Sequence, residues 1–422
     1  MFRRGACPAL SAPMQTGDGL LVRLATAGEV LSADSVRALC DAARRHGNGL
    51  VEITARGNFQ IRGLTEPSAA ALAQDIAAME LGLRAGVPVE TNPLAGLDPS
   101  ETANAAPLAA AIRRAIDASD LKQRLAPKIS VVVDGGGAIP LADVAADIRL
   151  DAVTATDWLF SIGGDRQLAR PLGVCDTHAA PQLALVVLEQ IAALGPEARG
   201  RDLDASPIFP LVGEISGRTE GGASAARLTS DSPSPLTDGR FAIRVALPFG
   251  SIEAGELNAF LDRAGEIAEL RFAPGRAAVL LCETEAAALT LRGLADQARL
   301  ITSADDPRAR IFACPGTQGC ASGFIPARAI ARDIARELPA DITSLHISGC
   351  AKGCAHPAKA AFTLVGTENG SELVRDGTAR QTGDHFGKGD IARRLAGLMA
   401  AGRQGNSSVK SARLFEQASA GD

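Results

Sequence analysis

Gly19-Leu20-Leu21-Val22-Arg23-Leu24, near the start of the chain, and Phe241-Ala242-Ile243-Arg244-Val245-Ala246-Leu247, in its second half, are segments of one kind. Each is a short apolar run of strand length carrying a single arginine. Each is followed by the same succession. In the first half, Ser32 can cap a helix in which Val36, Leu39, Cys40 and Ala43 recur at helical spacing, and Gly47 ends it. Residues 50–53 and 59–61 then read as strands and 69–79 as a helix. In the second half, 256–265 reads as a helix, 268–272 and 279–282 as strands, and 285–297 as a helix. The segments after each β-α-β-β-α unit repeat as well. Asn92-Pro93-Leu94-Ala95-Gly96 leads to a helix carrying Leu108, Ile112 and Ile116 and then to a strand at 129–133. Ala313-Cys314-Pro315-Gly316 leads to a helix carrying Ile330, Ile334 and Leu338 and then to a strand at 344–348. The expectation is an α+β fold built by tandem duplication, at the scale of fused domains and not of a solenoid.

Composition agrees with this scale. With 422 residues, 46% hydrophobic and 22% charged, the chain is an ordinary globular protein of two or three domains at about 150 residues each. Its longest apolar runs, such as 277–282, fall far short of the ~20 residues that span a bilayer. Met1-Phe2-Arg3-Arg4-Gly5 is followed by Cys7 and Asp18, not by an apolar stretch, so the expectation is a cytoplasmic protein without a signal peptide or a membrane partner. A net charge of −5, no Tyr and one Trp argue against a nucleic-acid partner, which calls for basic excess or stacking surface.

The eight cysteines divide into two sets. Cys7, Cys40, Cys175 and Cys282 are scattered; of these Cys40, Cys175 and Cys282 read as core thiols. The other four are crowded as Cys314-x5-Cys320 and Cys350-x3-Cys354. Four thiolates hold either an iron–sulfur cubane or a structural zinc. Zinc loops use gaps of about two to four residues, whereas a cubane is wider and takes more dispersed ligands. Gly316, Gly319, Gly349 and Gly353 would let backbone N–H groups approach sulfur without a Cβ in the way, and the helix after Cys320 would turn its positive end to an anionic cluster. These features favour a [4Fe-4S] cluster over zinc or four buried free thiols.

Arg56-Gly57-Asn58-Phe59-Gln60-Ile61-Arg62 alternates, so that Asn58, Gln60 and Arg62 share one face of a strand and Phe59 and Ile61 the other. A half-exposed strand in an antiparallel sheet would look the same. The matching strand of the second half, 277–281, is apolar throughout. That asymmetry points to a polar site on the first copy, to which Arg23 could add from the neighbouring strand.

Together these features resemble the siroheme-dependent sulfite and nitrite reductase superfamily, over about residues 14–400. The resemblance implies a [4Fe-4S] cluster on Cys314, Cys320, Cys350 and Cys354. It also implies a pseudo-twofold duplication of a ferredoxin-like half-unit plus a sulfite/nitrite-reductase-type α/β domain. The expected divisions are a ferredoxin-like half-unit at 1–90, a reductase-like domain at 91–199, a linker at 200–235, a second half-unit at 236–300, a second reductase-like domain with the cysteines at 301–401, and a flexible tail at 402–422. Arg23, Arg56, Gln60 and Lys128 fall on polar positions of the superfamily's motifs. Two of its anion-gripping cations are replaced, at about Ala85 and at Ser130. Lys352 and His356, in Ser348-Gly349-Cys350-Ala351-Lys352-Gly353-Cys354-Ala355-His356-Pro357, also depart from the reductases.

These departures, with Asn92-Pro93-Leu94-Ala95-Gly96-Leu97-Asp98-Pro99 and Asp134-Gly135-Gly136-Gly137, resemble the cobalamin-pathway branch of the superfamily. That branch implies hydroxylation of precorrin-3A at its C20 meso carbon with oxygen from dioxygen, then γ-lactone closure by the ring A acetate. It also implies a mononuclear non-haem iron beside the cubane, in place of siroheme. The tetrapyrrole substrate would be gripped through its carboxylates by Arg23, Arg56, Asn58, Gln60, Arg62 and Lys128. Of the five histidines, His356 is the candidate ligand for the second iron; His346 reads as a core residue on its strand, and His46 and His178 as surface or structural. Asp134-Gly135-Gly136-Gly137 opens no G-x-G-x-x-G helix, so reducing equivalents would come from a separate electron donor. The competing readings are a siroheme ferredoxin-dependent sulfite or nitrite reductase, and a non-catalytic iron–sulfur carrier.

Overall fold

The computed structural model of the chain describes residues 8–204, 232–265, 267–385, 393 and 395. Cys7, residues 205–231 of the expected linker and the tail at 402–422 lie outside the described residues. Contacts divide the chain into two units, 1–304 and 305–422.

The first unit opens with β1 (Met14–Thr16), β2 (Gly19–Leu24), α1 (Ala33–His46), β3 (Leu50–Ile53), β4 (Phe59–Leu64) and α2 (Glu66–Ala78). Local chemistry sets these limits. The Ser32 hydroxyl accepts from the Ser35 N–H at 3.0 Å and caps α1, and Thr65 and Ser68 close a reciprocal capping box on α2. Gly47 ends α1 where a Cβ would lie 2.3 Å from the Arg62 carbonyl oxygen.

Next come β5 (Val89–Thr91), α3 (Ala105–Asp117), α4 (Leu121–Arg124), β6 (Val131–Asp134), β7 (Ala146–Ala152), β8 (Asp157–Gly164), β9 (Arg170–Asp176) and α5 (Ala180–Ala193). They form a five-stranded sheet in sequential order, parallel from β5 to β7 and antiparallel from β7 to β9. The duplication then begins again with β10 (Ser234–Pro235), β11 (Phe241–Ala246), β12 (Ser251–Glu253), α6 (Ala254–Ala264), β13 (Glu269–Ala273), β14 (Ala277–Cys282) and α7 (Glu285–Gln297).

The two half-unit sheets have matching orders, β1-β2-β4-β3 and β10-β11-β14-β13, and they exchange edges. β12 pairs antiparallel with β3, and Ala27 and Leu31 bridge to Phe272 and Leu270 of β13. One core fills the space between them. Val36, Leu39, Phe59, Ile61 and Leu72 of the first copy meet Phe260, Leu261, Phe272, Leu280 and Leu291 of the second. Each such side chain fully buried contributes about 1.5–3 kcal/mol. The second face of the β11–β14 sheet is also covered. Ala277, Val279 and Leu281 pack there with Leu94 and Ile139, which belong to the loops around β5 and β6. This is why β14 is apolar on both sides.

The second unit contains β15 (Ile311–Ala313), α8 (Ala327–Ile334), β16 (Leu345–Ser348), β17 (Ala360–Thr367), β18 (Gly370–Gly377) and β19 (Asp384–His385). Its order is again sequential, parallel from β15 to β17 and antiparallel from β17 to β19. Among the described residues this strand order repeats that of β5 to β9. Among the described residues no helix is long and apolar enough to cross a membrane.

Candidate functional site

The cysteine loops occupy a place that the topology prepares. β15 and β16 are adjacent parallel strands, with Ala313 in register with Ile347, so Cys314 and Cys350 both leave from carboxyl ends of strands. Ligands of open α/β sheets bind at such ends. The Gly349 N–H donates to the Cys314 Sγ at 3.0 Å. A Cβ on Gly349 would lie 2.9 Å from the Gly316 Cα and 3.3 Å from that sulfur. Gly316 itself has φ +63° and approaches the Ile325 carbonyl too closely for any side chain. The two cysteine pairs are tied across by the Lys352 Nζ, which donates to the Ser322 hydroxyl at 2.8 Å, and by the Phe324 N–H, which donates to the Gly349 carbonyl at 2.8 Å.

One expectation for this region changes. The helix after Cys320 begins only at Ala327, because Gly323 and Pro326 keep the intervening chain in turns. The positive group that meets sulfur is the Gly349 amide and not a helix terminus.

The thiols fall into two classes. Cys40, Cys175 and Cys282 are buried in apolar cores. Burial pushes Cys40 and Cys175 up to about 12 and Cys282 up to about 11, so they are inert. Cys314, Cys320 and Cys350 are half-buried and Cys354 is exposed. The Cys354 thiol is raised by burial and then by the charges of Cys350, Cys314 and Cys320, with Lys352 opposing. Thiolates are the ligands an electropositive metal centre binds. Together with the glycine cradle, this donor set fits an iron–sulfur cluster. Among the described residues no three His, Cys, Asp or Glu side chains converge on a single-ion site.

The polar face of β4 is buried. Gln60 is 7% and Arg62 5% exposed. The Arg23 Nε donates to the Gln60 Oε1 at 2.8 Å, and the Gln60 Nε2 donates to Glu52 at 2.7 Å. Arg62 makes a two-pronged pair with Asp18 at 3.0 and 2.8 Å and reaches Glu52 at 3.4 Å. Burial alone would lower the Arg62 pKa; its bonds to Asp18 and the charges of Glu52 and Asp18 outweigh that and raise it. Asp18, raised by burial, is held below its ordinary value by the same partner. Asn58 accepts from the Ala27 N–H at 3.3 Å. Arg56 donates to Glu90 at 2.8 Å and to the Ala145 carbonyl. Lys128 is exposed on the loop before β6, where its carbonyl accepts from Arg199. The structure thus joins Arg23, Gln60 and Arg62 in one network, while Arg56 and Lys128 bond to other parts of the chain. Glu52, on β3, and Asp18, in the β1–β2 turn, are the acidic members, and sequence reasoning missed both.

Of the histidines, His46 pairs with Asp75 at 2.8 Å, and His178 and His385 are exposed. His346 is fully buried and lies edge-on to His356, 5.8 Å between centroids. His356 stacks on Phe312 at 4.1 Å.

Comparison with known proteins places these features. The Nitrite/Sulfite reductase ferredoxin-like half domain family matches residues 12–79. A precorrin-3B synthase from a Sinorhizobium species is 38% identical over 422 residues, covering 97% of this chain and 92% of that protein. The solved NirA protein of Mycobacterium tuberculosis superposes with a TM-score of 0.71 at 18% identity, over 93% of this chain and 82% of that one; at that identity the likeness is one of fold.

Proposed function

The chain belongs to the precorrin-3B synthase family, and from that premise we propose that it is an oxidoreductase that inserts one atom of dioxygen at the C20 meso carbon of precorrin-3A. The second oxygen atom leaves as water, with two electrons and two protons supplied through a separate electron donor. The ring A acetate then closes the γ-lactone. The observation that carries this reading is the likeness to a precorrin-3B synthase over nearly the whole chain.

Cys314, Cys320, Cys350 and Cys354 would hold a [4Fe-4S] cluster, which when bound supplies electrons one at a time. The chain's own residues bind and orient the substrate. Precorrin-3A carries acetate and propionate groups, and charge-assisted bonds from guanidinium and ammonium groups suit them. In this reading Arg23, Arg56 and Lys128 meet carboxylates. Gln60 aims Arg23 through the bond at 2.8 Å, and Asn58 stands two residues before it on the same face. Arg62, buried and engaged by Asp18 and Glu52, positions that network and does not itself touch substrate. A mononuclear iron belongs to the reading through dioxygen chemistry; His356, the candidate ligand, has its Nε2 3.2 Å from the Lys359 carbonyl oxygen and its ring stacked on Phe312.

The test is incubation of the anaerobically purified protein with precorrin-3A, a reductant and isotopically labelled dioxygen, with the product read by mass spectrometry. A product carrying one labelled oxygen is expected. An unlabelled product would overturn the reading, as would a siroheme absorbance with reduction of sulfite or nitrite.

A further inference from the structure

Three rings in the second unit stand on three different segments of the cysteine region. Phe312 is on β15, two residues before Cys314. His346 is on β16, four residues before Cys350. His356 is two residues after Cys354. The His356 ring lies flat on Phe312, with centroids 4.1 Å apart and planes 15° from parallel. It meets His346 edge-on at 5.8 Å and 77°. Its Nε2 is 3.2 Å from the Lys359 carbonyl oxygen, and its backbone N–H donates to the Gly353 carbonyl at 3.3 Å. A Cβ at Gly353 would stand 3.7 Å from the His346 Cε1 and 3.1 Å from Ala379, so the middle of the loop is laid against the His346 ring that His356 meets. The loop's other fastenings are polar: the Lys352 Nζ donates to the Ser322 hydroxyl at 2.8 Å and the Ser348 hydroxyl to the Cys350 carbonyl at 2.7 Å, while Ala351, Lys352 and Cys354 are themselves exposed.

We propose that His356 is a positioning residue: its ring is the brace that fixes the Cys350–Cys354 loop against the strands that present Cys314 and Cys350. The proposal rests on the reading that these cysteines hold an iron–sulfur cluster. It gives the ring a packing role, which phenylalanine can fill, where a role as ligand to a second iron requires nitrogen. Groups that orient ligands carry much of a metal site's strength, typically about 10–100-fold in affinity.

The experiment compares the full chain with its His356→Phe, His356→Ala and Phe312→Ala variants, all purified anaerobically. Iron and acid-labile sulfide per chain, the electron paramagnetic resonance of the reduced protein and the rate of bleaching in air are measured. His356→Phe is expected to match the wild type in iron, sulfide and spectrum. His356→Ala and Phe312→Ala are expected to lose sulfide and to bleach several-fold faster. Loss of iron from His356→Phe with sulfide retained would overturn the brace in favour of a ligand. Unchanged sulfide and bleaching in His356→Ala would overturn it too. If His356→Ala fails to fold, the iron content of His356→Phe and the bleaching of Phe312→Ala still decide between brace and ligand. Absence of sulfide from the wild type would sink the cluster reading itself, a result distinct from sulfide present in the wild type and undiminished in the alanine variants.

Discussion

Glu101 sits beside the Asp134-Gly135-Gly136-Gly137 turn with one carboxylate oxygen accepting from the Gly96 N–H at 2.8 Å and the other buried. Burial, and then the charges of Asp98 and Asp134, push it up to about 7, against the Gly96 bond. Its unfolded value is about 4.3. Between these values the folded chain keeps a proton that the unfolded chain has released, so stability falls as pH rises through that window. Glu101→Gln keeps an acceptor for Gly96 and cannot ionise. Its melting temperature should therefore drop less than that of the wild type between about pH 5 and about pH 8; equal drops would show that Glu101 does not titrate in this range. Residue-scale features divide in how far they could be read. The alternation of 58–62 told that Gln60 and Arg62 share a face. It could not tell that Asp18 and Glu52 meet them, because those partners come from the β1–β2 turn and from β3, and register is not written in either strand alone.

Elements were legible where their signals are local. Ser32 and Gly47 bound α1 because capping is chemistry within a few residues. Strand exchange was not legible: β12 pairs with β3 and Leu31 bridges to Leu270, and neither partner leaves a periodic mark in the other. The delayed start of α8 was missed for a related reason, since the apolar spacing of Ile330 and Ile334 marks a helix without marking its first turn. The cysteine loops were legible in their ligands and glycines but not in how those glycines pack. Gly349 has its carbonyl on the Phe324 N–H and its amide on the Cys314 sulfur. Gly349→Ala would drive a methyl group to 2.9 Å from the Gly316 Cα, and the backbone there cannot give way cheaply. The variant is expected to keep its far-ultraviolet circular dichroism, because β15 and β16 pair without it, and to lose most of its acid-labile sulfide. Full sulfide in Gly349→Ala would show that the close packing is dispensable.

At the scale of the molecule, duplication supplied one scaffold twice, and the two copies have diverged on one sheet face each. Register sets Arg23 opposite Gln60 in the first copy and Arg244 opposite Val279 in the second. Glu52 beside Gln60 is answered by Arg271 beside Val279. The second copy has thus lost the acceptor that balances the amide, and Leu94 and Ile139 cover the face instead. Exchanging the two positions separates binding from packing. Val279→Gln puts an amide into an apolar layer between two arginines, losing side-chain burial and leaving its N–H groups without an acceptor, at a cost of about 3 kcal/mol in apparent stability. It should leave affinity for precorrin-3A unchanged, because that face is already filled. Gln60→Val removes the group that aims Arg23 while Arg62 still satisfies Glu52. Its stability should fall by less, and its affinity for precorrin-3A about tenfold, the equivalent of one charge-assisted bond. Denaturant midpoints and tetrapyrrole titrations of the two variants give both quantities. Equal losses of stability with normal binding by Gln60→Val would mean that the buried polar face is only a structural network, and that substrate is recognised elsewhere in the chain.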